Sequence, residues 1–216
     1  MAFANYDQFR AATLLMIDGD DVQSDIQPAS VDLMISLGEA LVHYGQQAAP
    51  TDGRVLGPLR ASSMEEALTG TVAANSVAIP ADCMELSIVW LDGGAPLEVC
   101  TENDLRTRLP WIGGGNPRKV AQAGDSLIFS PVAADGAVLG GRYYAKPPAL
   151  KDELHATFQR YPELYMYAAL YSSAPFLGFD RRIPVWQGYY ATLLDQANAQ
   201  ERMRVKSGGR LRQVAR

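Results

Sequence analysis

Apolar residues in this 216-residue chain change period twice, from helical to alternating near residue 60 and back to helical near residue 150. Between Asn5 and Ile17, Phe9, Thr13 and Met16 share a face with Leu14 and Ile17 beside them, which predicts a first helix. The run Asp18-Gly19-Asp20-Asp21 breaks it. Between Pro28 and Tyr44, Val31, Met34, Ile35, Leu41 and Val42 recur at helical spacing. Gly38 falls on the same face, so a second helix is predicted, with a point of close approach. Residues 45–60 hold Gly45, Pro50, Asp52-Gly53, Gly57 and Pro58, a linker composition.

Short strands follow at residues 66–72, 76–79 and 84–91. Asp92-Gly93-Gly94 reads as a hairpin turn, with residues 96–100 as the return strand. Thr101-Glu102-Asn103-Asp104 matches a capping box and opens a short helix ending before Pro110. Residues 119–122, 126–130 and 138–145 read as three more strands, with Ala123-Gly124-Asp125 and Ala134-Asp135-Gly136 as turns.

Helical spacing resumes after Pro147-Pro148. Pro162 suits a first helical turn. Leu164, Tyr165, Ala168, Ala169, Tyr171 and Ser172 leave little charged surface, which predicts a buried helix that neighbours approach closely. Asp180 is placed to cap the last helix. Ile183, Trp186, Tyr190, Leu193 and Ala197 form its expected core stripe, and the helix is expected to project from the body after Gln200.

The terminal helices each carry an apolar stripe that must be covered, and the simplest cover is each other. The expected fold class is therefore α+β: a helical bundle made by the N- and C-terminal helices, with an inserted β-rich subdomain, sandwich or meander. The expected parts are residues 1–60 (helices and linker), 61–150 (β-rich insert with one short helix), 151–206 (helices completing the bundle) and 207–216 (flexible basic tail).

Charge refines this layout. The net charge is −5, but residues 201–216 hold Arg202, Arg204, Lys206, Arg210, Arg212 and Arg216 against Glu201 alone, or +5, leaving −10 on residues 1–200. An acidic body does not wrap DNA, which needs a broad basic face. A basic end suits docking on an acidic protein surface. No apolar run is long enough to span a bilayer, and no secretory leader is read at the N-terminus, so synthesis in a cytoplasm is expected. Cys83 and Cys100 form no C-x-x-C pair and read as small buried hydrophobes.

Candidate chemistry is sparse. A calcium loop starting at Asp18 needs Gly at position 23 and Glu at position 29, where Gln23 and Ala29 stand. His43 and His155 each read as isolated, so no metal pair is expected. The loop Trp111-Ile112-Gly113-Gly114-Gly115-Asn116-Pro117 lacks the Lys and hydroxyl of a phosphate-binding loop. Ser62, Ser63 and Ser130 lack a nucleophile context. No catalytic, cofactor-binding or metal residue is expected, and Tyr161, Tyr165, Tyr171, Trp186 and Tyr190 read as core or subunit packing rather than a base-stacking surface.

Several segments, taken in order, resemble the head-to-tail adaptor proteins of tailed bacteriophages, relatives of the podovirus tail tubular protein A. They are Tyr6-Asp7-Gln8-Phe9, then Ala78-Ile79-Pro80-Ala81-Asp82-Cys83-Met84-Glu85-Leu86, then Tyr143-Tyr144-Ala145-Lys146-Pro147-Pro148-Ala149-Leu150. The fullest likeness runs from Tyr161-Pro162-Glu163-Leu164-Tyr165-Met166 through Ala174-Pro175-Phe176-Leu177 to Arg182-Ile183-Pro184-Val185-Trp186.

The resemblance implies a non-enzymatic virion protein at the head–tail neck. It implies a homo-oligomeric ring, usually dodecameric, beneath the portal protein, joined to a tail tube, nozzle or tail completion protein. It also implies a channel through which DNA passes on ejection, without sequence-specific contact. The family's C-terminal segments contact the portal, in line with the basic residues from Arg202 to Arg216. The competing readings are another neck or tail completion protein, and a small hydrolase or ligand-binding module.

Overall fold

The computed structural model describes residues 3–18, 27–49, 52–108, 116–177 and 180–207. The chain divides into two compact units: Met1–Ser63 with Pro147–Arg216, and Met64–Lys146. The class is α+β, with N- and C-terminal helices packing on one another and the strands grouped between them in sequence. Asp18-Gly19-Asp20-Asp21, from Gly19 onward, and most of the Trp111–Pro117 loop lie outside the described residues.

The helical unit holds α1 (Tyr6–Asp18), α2 (Pro28–Tyr44), α4 (Ala156–Arg160), α5 (Pro162–Ser172), α6 (Ala174–Leu177) and α7 (Ile183–Ser207), all but α6 contributing buried side chains, and α3 belongs to the other unit. Helix α5 is central. Leu164, Tyr165, Met166, Ala168, Ala169 and Leu170 are all buried, and α1, α2 and α7 pack on it. A helix apolar all round has no side to give to water, so it lies in the middle. The α2–α5 contact depends on Gly38. A Cβ there would stand 2.6 Å from the Ala169 backbone N and 2.8 Å from its Cα. Backbone atoms cannot swing aside. Gly38→Ala is therefore expected to destabilise by ~1–3 kcal/mol through overpacking. An exposed helical site would instead gain about 1 kcal/mol from the same change. Urea denaturation gives the sign, and a gain would place the two helices further apart.

The linker composition of residues 45–60 hides a packed segment. Strands β1 (Gln47–Ala48) and β2 (Val55–Leu56) pair, and Ala49, Leu56 and Leu59 are buried. Arg54 meets Asp195 at 2.7 Å and Arg60 donates to the His43 carbonyl at 3.0 Å. The Gly and Pro residues disguise three apolar anchors.

The second unit holds β3 (Glu65–Thr71), β4 (Ser76–Ala78), β5 (Cys83–Leu91), β6 (Glu98–Cys100), α3 (Glu102–Arg108), β7 (Lys119–Ala123), β8 (Ser126–Ser130) and β9 (Val138–Ala145). They form sheets ordered β3-β9-β5 and β4-β8-β7-β6. Leu68, Val89 and Leu139 from one sheet and Val77, Val120, Leu127 and Phe129 from the other share one core, so the insert is a sandwich. Thr101 Oγ1 accepts the Asp104 N–H at 3.1 Å, the expected cap of α3.

One strand pairing departs from the sequence reading. The Asp92-Gly93 turn forms, with both residues at positive φ, yet β6 does not return along β5. It crosses to the other sheet and pairs in parallel with β7. Past the turn, the Leu97 N–H reaches back to the Val89 carbonyl at 2.7 Å. Pro96 has no N–H to continue a ladder, which releases the chain there. Cys83 and Cys100 are free thiols on different sheets, and burial raises the pKa of both.

Candidate docking surface

The last helix is held at both ends. At its start, the Arg182 guanidinium binds Asp180 (2.7 Å) and donates to the carbonyls of Met16 (3.2 Å) and Ile17 (2.8 Å), the C-terminal turn of α1. Arg182 also lies 5.0 Å over the Trp186 ring. The Asp180 carboxyl is held below its usual pKa, mainly by its bond to Arg182. The buried face of α7 is Trp186, Tyr190, Ala191, Leu194, Ala197 and Glu201. Leu194, not the expected Leu193, sits in the core, and Ile183 and Leu193 are half-buried. The stripe runs at offsets of 4, 4, 3 and 4 from Trp186 to Glu201, the spacing of one helical face.

The expectation that α7 leaves the body after Gln200 is corrected by Glu201. Glu201 is 3% exposed. Its carboxylate accepts from the Ser62 N–H (2.9 Å), Arg160 Nη1 (3.0 Å) and the Tyr161 hydroxyl (2.7 Å). Burial alone would raise its pKa. The bonds from Ser62, Tyr161 and Arg160 outweigh that and hold it at about 2. Tyr161 in turn is pushed up to about 12 by burial and by Glu201. The carboxylate thus ties α7 to α4 and to the residues around Ser62, immediately before the basic run that begins at Arg202. Its signal in the sequence is a single acid on an otherwise apolar stripe, easily mistaken for the counter-charge of the basic run.

Beyond this anchor, Arg202, Met203 and Arg204 are exposed, and Arg204 lies 3.7 Å from Glu201. The helix backbone continues through Lys206 to Ser207. Arg210, Arg212 and Arg216 lie outside the described residues. Beside the anchor is a groove of about 290 Å³ lined by Arg160, Tyr161, Pro162, Leu193, Gln196 and Gln200.

Of the aromatic residues singled out in the sequence, Tyr165, Trp186 and Tyr190 are buried, while Tyr161 and Tyr171 are half-buried. Tyr171 stacks on Tyr190 with centroids 6.4 Å apart. Tyr190 donates to the Leu41 carbonyl at 3.1 Å, joining α7 to α2.

His43 and His155 are not isolated. Their ring centroids are 6.2 Å apart, and both lie 5.7 Å from the Tyr165 ring. His43 Nε2 meets the Tyr165 hydroxyl at 2.9 Å. His155 caps α4, its Nδ1 accepting the Phe158 N–H at 3.2 Å. Each is nearly fully buried. Burial, with His155 and Arg60 adding to it, lowers the His43 pKa to about 3, and burial lowers that of His155 to about 4. Two neutral imidazoles packed on a tyrosine are a core feature. Among the described residues no three His, Cys, Asp or Glu side chains gather to hold a metal ion, and no helix is long and apolar enough to cross a membrane.

The family model described as SU10 adaptor protein matches residues 4–213 of the chain. No curated protein matches the sequence.

Proposed function

The chain belongs to the SU10 adaptor protein family, a family of phage head–tail adaptors, and from that premise we propose that it forms a ring between the portal protein and the tail, around the path of the DNA. As a virion adaptor its role is structural and non-enzymatic. In the proposed arrangement the end of α7 docks on an acidic portal surface through Arg202, Arg204 and Lys206, and the residues Arg210, Arg212 and Arg216 extend the contact.

The observation that carries the docking is the Glu201 anchor. It fixes the last helical turns to the body, so Arg202 and Arg204 are presented from a rigid stem. Exposed ion pairs contribute only ~0.2–1 kcal/mol each, so the charges steer and orient, and repetition around a ring supplies the strength. An acidic body lining a channel would also repel passing DNA.

Deleting residues 207–216 removes three of the six bases. The truncated protein is expected to keep its melting curve and to bind portal about tenfold more weakly, about 1.4 kcal/mol, by co-sedimentation. The deficit should shrink as salt is raised. Unchanged binding at low salt would reject portal docking by this end.

A further inference from the structure

Helix α4 has five residues, too few to stand on propensity alone. It is fastened at both ends. At its start His155 supplies the cap, Nδ1 accepting the Phe158 N–H at 3.2 Å. At its end Arg160 Nη1 and the Tyr161 hydroxyl donate to the Glu201 carboxylate of α7, at 3.0 and 2.7 Å. Between the two, Thr157 Oγ1 meets Ser63 Oγ at 2.8 Å. The helix therefore joins the buried histidine pair to the anchor of the basic end.

The cap fixes the protonation chemistry of His155. A ring nitrogen that accepts a hydrogen bond carries no proton, so the neutral ring is the Nε2–H tautomer. A second proton has one place to go, Nδ1. There it turns the acceptor of the cap into a donor aimed at the Phe158 N–H, and that buried N–H loses its partner. The other nitrogen, Nε2, is buried without a partner among the described residues. Facing the ring are His43 of α2 at 6.2 Å and Tyr165 of α5 at 5.7 Å, with Arg60 beside His43. On its own segment the exposed Glu153 meets it through the backbone, its carbonyl accepting the His155 N–H at 3.0 Å. With Nδ1 taken by the Phe158 N–H and Nε2 unpartnered, no carboxylate bonds to the ring to receive the charge.

We propose that protonation of His155 unlatches α4 and, through Arg160 and Tyr161, loosens the Glu201 anchor of the last helix. The latch goes beyond the portal reading and does not depend on it, because every contact lies within the helical unit of one copy. Above pH 6.5 the ring is neutral whether the latch is closed or open, and the cap holds. As the pH falls toward 4 the open form takes up the proton first. With a pKa of about 4 in the closed form and roughly 6.5 in the open one, the opening equilibrium at pH 5 is about thirtyfold that at pH 7.5. Glu201 keeps its charge through this window, since its own pKa is about 2. It loses its donors instead.

Hydrogen exchange of the full chain, read by mass spectrometry at pH 7.5 and pH 5 and corrected for the intrinsic pH dependence of exchange, tests the latch. Peptides covering 156–161 and 197–202 are expected to open together, each about thirtyfold more at pH 5, and ahead of the core peptides 31–42 and 164–170. His155→Asn keeps a capping side chain that does not titrate, and is expected to hold the response of both peptides below about threefold. Three results would overturn the proposal. Residues 156–161 could open while 197–202 stay closed, which breaks the coupling. The core peptides could open to the same extent, which makes the event global unfolding. The Asn variant could keep the thirtyfold response, which places the trigger elsewhere.

Discussion

Shifting the protein from pH 7.5 to pH 5 is expected to lower its unfolding free energy by about 4 kcal/mol, roughly 2 kcal/mol from each of His43 and His155. Both imidazoles are held neutral in the fold, at pKa values of about 3 and about 4, against 6.5 for an open chain. A base whose folded pKa is depressed binds its proton more readily when unfolded. Stability is therefore complete above pH 6.5 and falls as the pH drops toward 4. A proton on either ring is also poorly received, because His43 Nδ1 and His155 Nε2 have no hydrogen-bond partner among the described residues. Around the pair lie the Tyr165 ring and, beside His43, the Arg60 side chain, whose positive charge further disfavours a proton there.

The window distinguishes this pair from the carboxylates. Glu201 has a folded pKa of about 2 against 4.5, so its contribution is complete above pH 4.5 and is lost only as the pH falls toward 2. Urea melts at a series of pH values separate the two. The steep loss should begin below 6.5, and His155→Asn, which keeps a helix-capping side chain, should reduce the slope between pH 6.5 and 5 by about half. A stability flat from pH 7.5 to 5 would mean the histidines are hydrated.

Tyr165→Ala is expected to cost ~3–5 kcal/mol in chemical denaturation. Tyr165 is 1% exposed at the centre of the helical unit. Its ring touches Phe158 with centroids 5.5 Å apart, along with both histidines. Phe158 in turn stacks edge-on against Phe9 of α1 at 4.9 Å. Removing the ring opens a cavity lined by three helices that are already fixed by one another, so little collapse can fill it. Tyr165→Phe keeps the ring and removes the hydroxyl, leaving His43 Nε2 unpaired. It should cost ~1–3 kcal/mol. The order of the two variants is the test. A Phe variant as costly as Ala would make the hydrogen bond dominant, and an Ala variant near zero would put Tyr165 on a surface.

The helices were legible because their cause is local. The period of Val31, Met34, Ile35 and Val42 marks the buried side of α2, and Gly38 among them marks the close approach to Ala168 and Ala169. The capping box at Thr101 and the glycine turns at 124 and 136 are equally local. What stayed hidden depends on partners far apart in the chain. The meeting of His43 with His155 joins residues 112 positions apart through a tyrosine on a third helix. The departure of β6 from β5 depends on the competing pull of β7, which no turn signal reveals. Glu201 announces itself in the sequence by its charge rather than by its position on the Trp186–Ala197 stripe, and its donors at Ser62, Arg160 and Tyr161 come from other segments. The stripe itself slipped by one residue, Leu194 for Leu193, because two adjacent leucines fit the period almost equally well.

The most direct test of the account is a cryo-electron microscopy map of the particle neck. It should show copies of this chain in a closed ring between portal and tail, with the ends of α7 against the portal. A neck of the mature particle that lacks this chain, or holds it as one unrepeated copy, would contradict it.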